Sequence, residues 1–482
     1  MPTTSGPDFS SSLQAFLDGV AADDALELHS LIVRQHGREL ARGWWEPYRR
    51  DDVHLLYSLS KSFTSTAAGF AVAEGLLDLD RPAHSYIPGA AEVITDDRSA
   101  RITVRDALRM ATGHTVDTLD RLRVEAQRHD PPLDLPVAFF ALPPEQEPGS
   151  VFCYNNGATY LVAVIVQSLV GEPLSRYLTP RLFEPLGIAT PYWQTDAAGR
   201  EIGFSGLHLP TEAVAAFGQL YLDGGRLGDR QVLPEGWAAE ASTAHTPNPG
   251  EPTTDWQQGY GYQFWRSQHG FRGDGAYGQF CLVLPEQDAV VAMTSDTDQM
   301  QALLDLVWAH LLPALDATAD PAAPGTGAPD PIVLDALALP VIGGHPAPVP
   351  APVWTPTPPS PEQPAPISVL EVSEDRLVLG HPDGDGERRY ELGLTPGGWC
   401  RTELDLPEGR LLVGTSAGWT GPDTFEAALA MINTPHRLEV RGQVSAGDDG
   451  TPTATSTVGW RLPPLGPTHP WMLTIPRASV RP

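Results

Sequence analysis

Lysine is almost absent from this chain. Of its 31 basic residues only one is a lysine, Lys61. Positive charge is scarce as a whole: 60 acidic residues leave a formal net charge of −29 over 482 residues. A surface of that sign repels phosphate backbones and excludes a general nucleic-acid binder. Cysteine is scarce too. Cys153, Cys281 and Cys400 are odd in number and far apart, so they build neither a disulfide framework nor a C-x-x-C metal pair. No run of about 18 apolar residues occurs, so no membrane span is expected. The opening MPTTSGPDFSSS has no basic cluster followed by an apolar run, so no signal peptide is expected, and the expected compartment is the cytoplasm. The histidines show no metal-ligand spacing, and no metal or organic cofactor is expected.

What is present is enough for a large core. Hydrophobic residues make up 41% of the chain, and its length needs no disulfide staples. Residues 29–45 read as a hairpin turning at His36-Gly37, and 279–296 as another turning at PEQD. Helical patterns run over 58–75, 102–114, 210–225 and 298–315, with two more in 155–188 broken at Gly171-Glu172-Pro173. From Pro340 to Pro366 proline is too dense for helices or central strands. Short runs between Gly, Pro and Asp turns then predict a small, mostly β unit. The expected organisation is a first domain over 1–320, a Pro-rich linker or strap over 321–366, and a β-rich domain over 367–482.

Ser58-Leu59-Ser60-Lys61 is the first chemical constellation. Spacing of i and i+3 puts Ser58 and Lys61 on one helical face, within reach of each other. Arginine holds its proton, whereas a desolvated lysine can release it and act as a base. Ser58 at a helix N-terminus also sits where developing negative charge is favoured. Tyr154-Asn155-Asn156 supplies a second set. A phenol near a lysine ammonium is expected to have its pKa drawn down and to relay a proton.

YSLSKSFTSTAAGFAVAEGLLDLDRP, ITVRDALRMATGH, PGSVFCYNNGATYLVAVIVQSLVGEPL and LFEPLGI together resemble the serine β-lactamase and penicillin-binding family. The similarity is to the class C β-lactamase-like hydrolases, on their esterase and aminohexanoate-hydrolase side, over roughly residues 25–315. It implies an α/β (α+β) fold of the DD-peptidase/β-lactamase type, an antiparallel sheet flanked by helices plus a helical domain. It also implies an acyl-enzyme mechanism on a small-molecule ester or amide. By position Ser58 is then the nucleophile, Lys61 the base, Tyr154 the proton relay, and Asn156 the group that orients Lys61 and the substrate carbonyl.

The family's third motif, K-T-G or H-x-G, is missing. Its place falls at Arg272-Gly273-Asp274 in HGFRGDGAYGQF. That loss argues against carboxylate-bearing β-lactams and D-Ala-D-Ala peptides. It leaves Arg272 and Gly273 as candidate substrate contacts, opposed by Asp274. Gly275, lacking a Cβ, lets substrate approach the strand, and its N–H with that of Ser58 would make an oxyanion hole. Trp193 and Tyr262 are candidate pocket walls. GTSAG at 414–418, with Asp423 and His436 after it, matches a nucleophile elbow, but GWTGPD cannot continue as the helix an elbow requires; a turn between strands is expected. A non-catalytic binding protein of the same fold and a true penicillin-recognising enzyme are the remaining alternatives.

A fluorophosphonate probe should label Ser58 alone, because only an activated hydroxyl attacks it rapidly. Peptide mass spectrometry locates the adduct, and labelling that survives Ser58→Ala and maps to Ser416 would overturn the assignment.

Overall fold

The computed structural model describes residues 8–476, apart from 190, 249–253, 318–329, 349–350, 356–366, 384–385, 447–450 and 467–468. The linker call over 321–366 therefore lies partly outside the described residues, as do the first seven residues of the opening segment.

A seven-stranded sheet forms the first layer, in the order Ile332–Leu334, Arg38–Trp44, Leu28–Gln35, Ala289–Ser295, Gln279–Leu284, Phe271–Gly275, Trp265–Arg266. All neighbours are antiparallel except the first pair. Side chains alternate between its faces. Leu31, Val33, Leu282 and Met293 point to one side, where helices Phe9–Ala21 and Met300–Leu306 cover them with Leu13, Phe16, Leu303 and Leu304. Ile32, Cys281, Val283 and Ala292 point to the other, into the main helical layer. Both faces are covered, which explains why QFCLVL and AVVAMTS read as unbroken apolar runs and are buried throughout.

Helices Ser60–Ala73 and Asn156–Val170 run through the centre of that layer. Helix Asn156–Val170 has apolar residues all round, as a fully enclosed helix must, and begins at the Asn155 cap. Gly69 lies where the Trp237 indole crosses helix Ser60–Ala73; a Cβ there would meet the ring at 2.5 Å. The amphipathic pattern expected over 102–114 yields only a short helix, Val104–Leu108, because its Thr103–Asp106 capping box is followed by Met110 with φ of 57°.

Among the described residues the elements of the C-terminal part are strands, apart from a 3₁₀ turn at Pro470–Met472. Strands Ser368–Val372, Arg376–Asp383 and Gly386–Gly393 form one sheet, and six strands from Val353–Trp354 to Pro452–Trp460 form another. They share a core of Val369, Leu379, Leu392, Val413, Phe425, Leu438 and Val458. Between this unit and the first lies a small apolar seam of Tyr48, Leu339, Ala430 and Ile432. Arg401 forks onto Asp52 at 2.6 and 2.7 Å, and Arg437 reaches Glu27 at 3.0 Å. The described part of the Pro-rich segment runs as a strap, with Val353–Trp354 pairing in parallel to Pro452–Trp460. Among the described residues no single helix is long and apolar enough to cross a membrane.

Replacing a helix-interior glycine by alanine ordinarily favours the helix by about 0.5–1 kcal/mol. Here Gly69→Ala should instead cost about 1–3 kcal/mol, because the methyl overpacks a closed core. Urea unfolding of the variant checks the sign.

Candidate active site

Ser58 does not lie in the long helix itself. Tyr57–Leu59 forms a single 3₁₀ turn that feeds helix Ser60–Ala73. The turn still gives the i, i+3 register: Lys61 Nζ is 2.8 Å from Ser58 Oγ. The same nitrogen donates to Asn156 Oδ1 at 2.7 Å and to the Phe204 carbonyl at 2.9 Å. Lys61 is buried, at 1% exposure, and burial lowers its pKa to about 7 against the opposing pull of Asp117 and Asp274. A neutral amine has two N–H donors and one lone pair. Asn156 and Phe204 take the two donors, which leaves the lone pair facing the Ser58 hydroxyl.

Asn156 cannot turn its amide round. Its Nδ2 donates to Asp117 Oδ2 at 2.6 Å, and its backbone N–H donates to Asp117 Oδ1 at 2.9 Å. Asp117 thus sets which atom Asn156 presents to Lys61. The Phe204 carbonyl belongs to a segment that lies along helix Ser60–Ala73. Thr64 Oγ1 donates to the Gly203 carbonyl, and the Leu207 N–H donates to Ser60 Oγ.

Tyr154 lies under Lys61, with Nζ 4.8 Å from its ring centroid, and its hydroxyl bonds to Ser58. Its ring stacks on Trp265 at 5.2 Å. The phenol pKa is raised, by burial first and then by Asp274. This corrects the sequence expectation of a lowered value: burial of the phenol and the nearby Asp274 outweigh any pull from Lys61, and the phenol stays protonated. Tyr154 is therefore a proton donor in the resting site.

Strand Phe271–Gly275 passes against the Ser58 turn. A Cβ at Gly273 would meet Leu59 Cδ1 at 2.3 Å, and one at Gly275 would meet the Leu56 carbonyl at 2.1 Å. Both glycines are thus required by close approach, which brings the strand end beside Ser58. The alternate residues face away. Arg272 is fully buried and does not line the cleft. Its Nε donates to Asp274 Oδ2 at 3.0 Å, and its Nη1 donates to Ser267 Oγ and the Asp255 carbonyl. Its guanidinium stacks over Trp256 at 4.6 Å. The substrate contact expected of Arg272 is corrected on that ground: the side chain is consumed behind the aromatic wall.

Two other candidates also sit off the centre. Tyr262 is buried, stacks on His245 at 4.1 Å, and donates to Glu240 at 3.2 Å while Arg105 donates to its oxygen. Trp193 is buried, with its Nε1 donating to the Ser205 carbonyl at 2.7 Å, so it braces the segment that carries Phe204. Ser416 lies within strand Gly409–Trp419, where its hydroxyl accepts from the Ile342 N–H. The expected turn at 414–418 is thus the middle of a strand, and no elbow exists. Among the described residues no group of three or more His, Cys, Asp or Glu side chains is placed to hold a metal ion.

An antiparallel sheet and a helical layer enclosing Ser, Lys and Tyr side chains define the β-lactamase-type class of hydrolase folds. The chain belongs to the beta-lactamase family, whose profile matches residues 14–313. It is 26% identical over 315 residues to the 6-aminohexanoate-dimer hydrolase of Paenarthrobacter ureafaciens, covering 60% of this chain and 79% of that one. It is 32% identical over 168 residues to the lovastatin esterase of Penicillium rubens, covering 31% of this chain and 42% of that one. The crystal structure of SurE matches 93% of this chain and 98% of its own at 18% identity and a TM-score of 0.50, so the fold recurs over both parts together.

Ser58 should react with a fluorophosphonate along a single ionisation. With Lys61 as the base to Ser58, the labelling rate should rise as pH passes about 7 and level above it. Lys61→Arg keeps a positive charge that does not titrate there. Its labelling should fall about 10²- to 10⁴-fold, and the step near pH 7 should vanish.

Proposed function

We propose that the protein is a serine hydrolase that cleaves a carboxylic ester or small amide through an acyl-Ser58 intermediate. The observation that carries this reading is the array around Lys61 Nζ, where Ser58, Asn156 and Phe204 lie 2.8, 2.7 and 2.9 Å away. A positive charge kept only for structure would not be stripped of water and left without a carboxylate in contact. The neutral amine takes the Ser58 proton as Oγ attacks the carbonyl carbon. Charge develops on the carbonyl oxygen beside the Ser58 and Gly275 N–H groups, at the place where the strand closes on the turn. Lys61 then holds the proton, and Tyr154 passes it to the departing alkoxide or amine. A water repeats the sequence in reverse and frees the acid. A non-catalytic binding role would leave this array without purpose.

The binding side favours neutral acyl groups. Arg272, which could have replaced the missing K-T-G lysine, is paired with Asp274 and lies 3.9 Å from Asp255. Asp117 and Asp274 add negative charge near Lys61. A substrate carboxylate would be desolvated there with no matched donor. The ester named for the Penicillium rubens relative is consistent with this choice, whereas the 6-aminohexanoate dimer named for the other carries a carboxylate and is not; β-lactam or D-amino-acid peptide hydrolysis is the weaker reading.

The kcat/KM for nitrophenyl butyrate should therefore exceed that for nitrocefin. Arg272→Ala should leave this preference in place while costing about 3–5 kcal/mol of stability, because it strands buried carboxylates. Paired kinetics and urea unfolding test both. A wild-type preference for nitrocefin that collapses in Arg272→Ala would make the enzyme a reader of carboxylates.

A further inference from the structure

The C-terminal β unit reaches into the two segments that flank the nucleophile. Tyr57, the residue before Ser58, has φ of 46°. Tyr277, just beyond Gly275-Ala276, has φ of 66°. Bulky residues rarely adopt that region, and they hold it only where their surroundings impose it. The Tyr57 hydroxyl lies 2.5 Å from His436 Nε2, and the Tyr277 hydroxyl donates to the Pro463 carbonyl at 2.5 Å. His436 Nδ1 lies 3.1 Å from the Leu462 carbonyl, which can only accept. That contact places the ring proton on Nδ1 and leaves Nε2 to accept from Tyr57.

The three rings form one block. Tyr57 packs on Tyr277 at 5.3 Å, and the His436 ring stands edge-on to both, at 5.7 and 4.8 Å. Leu462 closes the block against Leu55. The backbone is gripped as well: the Leu55 N–H donates to the Asn433 carbonyl at 2.9 Å, and Asn433 Nδ2 donates to the Val53 carbonyl at 2.9 Å. Residues 53–57 and 277 thus take their places from a unit with a separate core.

We propose that the C-terminal unit is part of the catalytic apparatus, with His436 as a positioning residue that holds the Ser58 turn through Tyr57. The unit touches no reacting atom. It fixes the angle at which Ser58 meets Lys61 and the end of strand Phe271–Gly275. Misplacement of a nucleophile by about 1 Å is enough to slow attack by about 100-fold. This inference rests on Ser58 being the nucleophile.

The test is a double-mutant cycle on the full-length protein. Tyr57→Phe removes one oxygen and keeps the ring packing; His436→Phe keeps an aromatic ring and removes the acceptor. Each should lower kcat for nitrophenyl butyrate and the fluorophosphonate labelling rate by about 10- to 100-fold, with KM within about twofold. The double variant should be no slower than the worse single one, because both remove the same bond. His436→Gln, which restores an acceptor, should recover part of the rate. Arg401→Ala loosens the same unit at Asp52, away from the turn, and should leave kcat unchanged. Circular dichroism monitors folding, and if His436→Phe fails to fold, Tyr57→Phe decides alone. Folded Tyr57→Phe protein with wild-type kcat overturns the proposal, as does an equal loss in Arg401→Ala. Retained hydrolysis in Ser58→Ala would instead overturn the underlying assignment of the nucleophile.

Discussion

The site depends on the burial of one amine. Taking a lysine out of water is unfavourable for its charged form, and here no carboxylate touches it to offset the loss. Asp117 acts on Lys61 at one remove, through Asn156, and Asp274 acts at a distance. This separation matters. A carboxylate in direct contact would hold the amine in its charged form, whereas an empty apolar pocket would leave it unaimed. An amide oxygen and a peptide carbonyl orient the nitrogen without fixing its proton. The helix packing, the segment 203–207 and the cap at Asn155 all serve that arrangement.

The chemistry was legible where it depends on residue type. One lysine in 31 basic residues drew attention to Lys61, and its spacing from Ser58 defined the pair. Tyr154 stands out as a phenol in reach of a lysine and the role of Asn156 comes with the family resemblance, and the geometry brings both side chains to Lys61. What depends on the backbone was not legible. The Phe204 carbonyl has no signature, since every residue carries one. Asp117 reads as an ordinary exposed loop residue, and only the fold sets it opposite Asn156. The pKa direction of Tyr154 failed because the phenol's own burial, which no local pattern shows, outweighs the neighbouring amine.

The layers were legible for a similar reason. Strongly periodic or continuous apolar segments gave the hairpins 28–44 and 279–295 and the helices 156–170 and 211–222 close to their observed ends. The pattern over 102–114 overran because a turn at Met110 interrupts it. Arg272 shows the limit of alternation arguments. Knowing that 271–275 is a strand does not say which face meets the helix, and it is the glycines, not the arginine, that face the Ser58 turn.

The pairing of Leu28–Gln35 with Ala289–Ser295 bears on how the protein is made. The first strand leaves the ribosome about 260 residues ahead of its partner. At roughly 5–20 residues per second, that interval lasts on the order of 13–50 s. For that time the apolar strand LHSLIVRQ has only its hairpin mate Arg38–Trp44 beside it and an open edge on the other side. Such an edge is a template for pairing with other nascent chains. The enclosed sheet of the finished molecule therefore makes its synthesis depend on keeping that strand covered until Ala289–Ser295 emerges to pair with it.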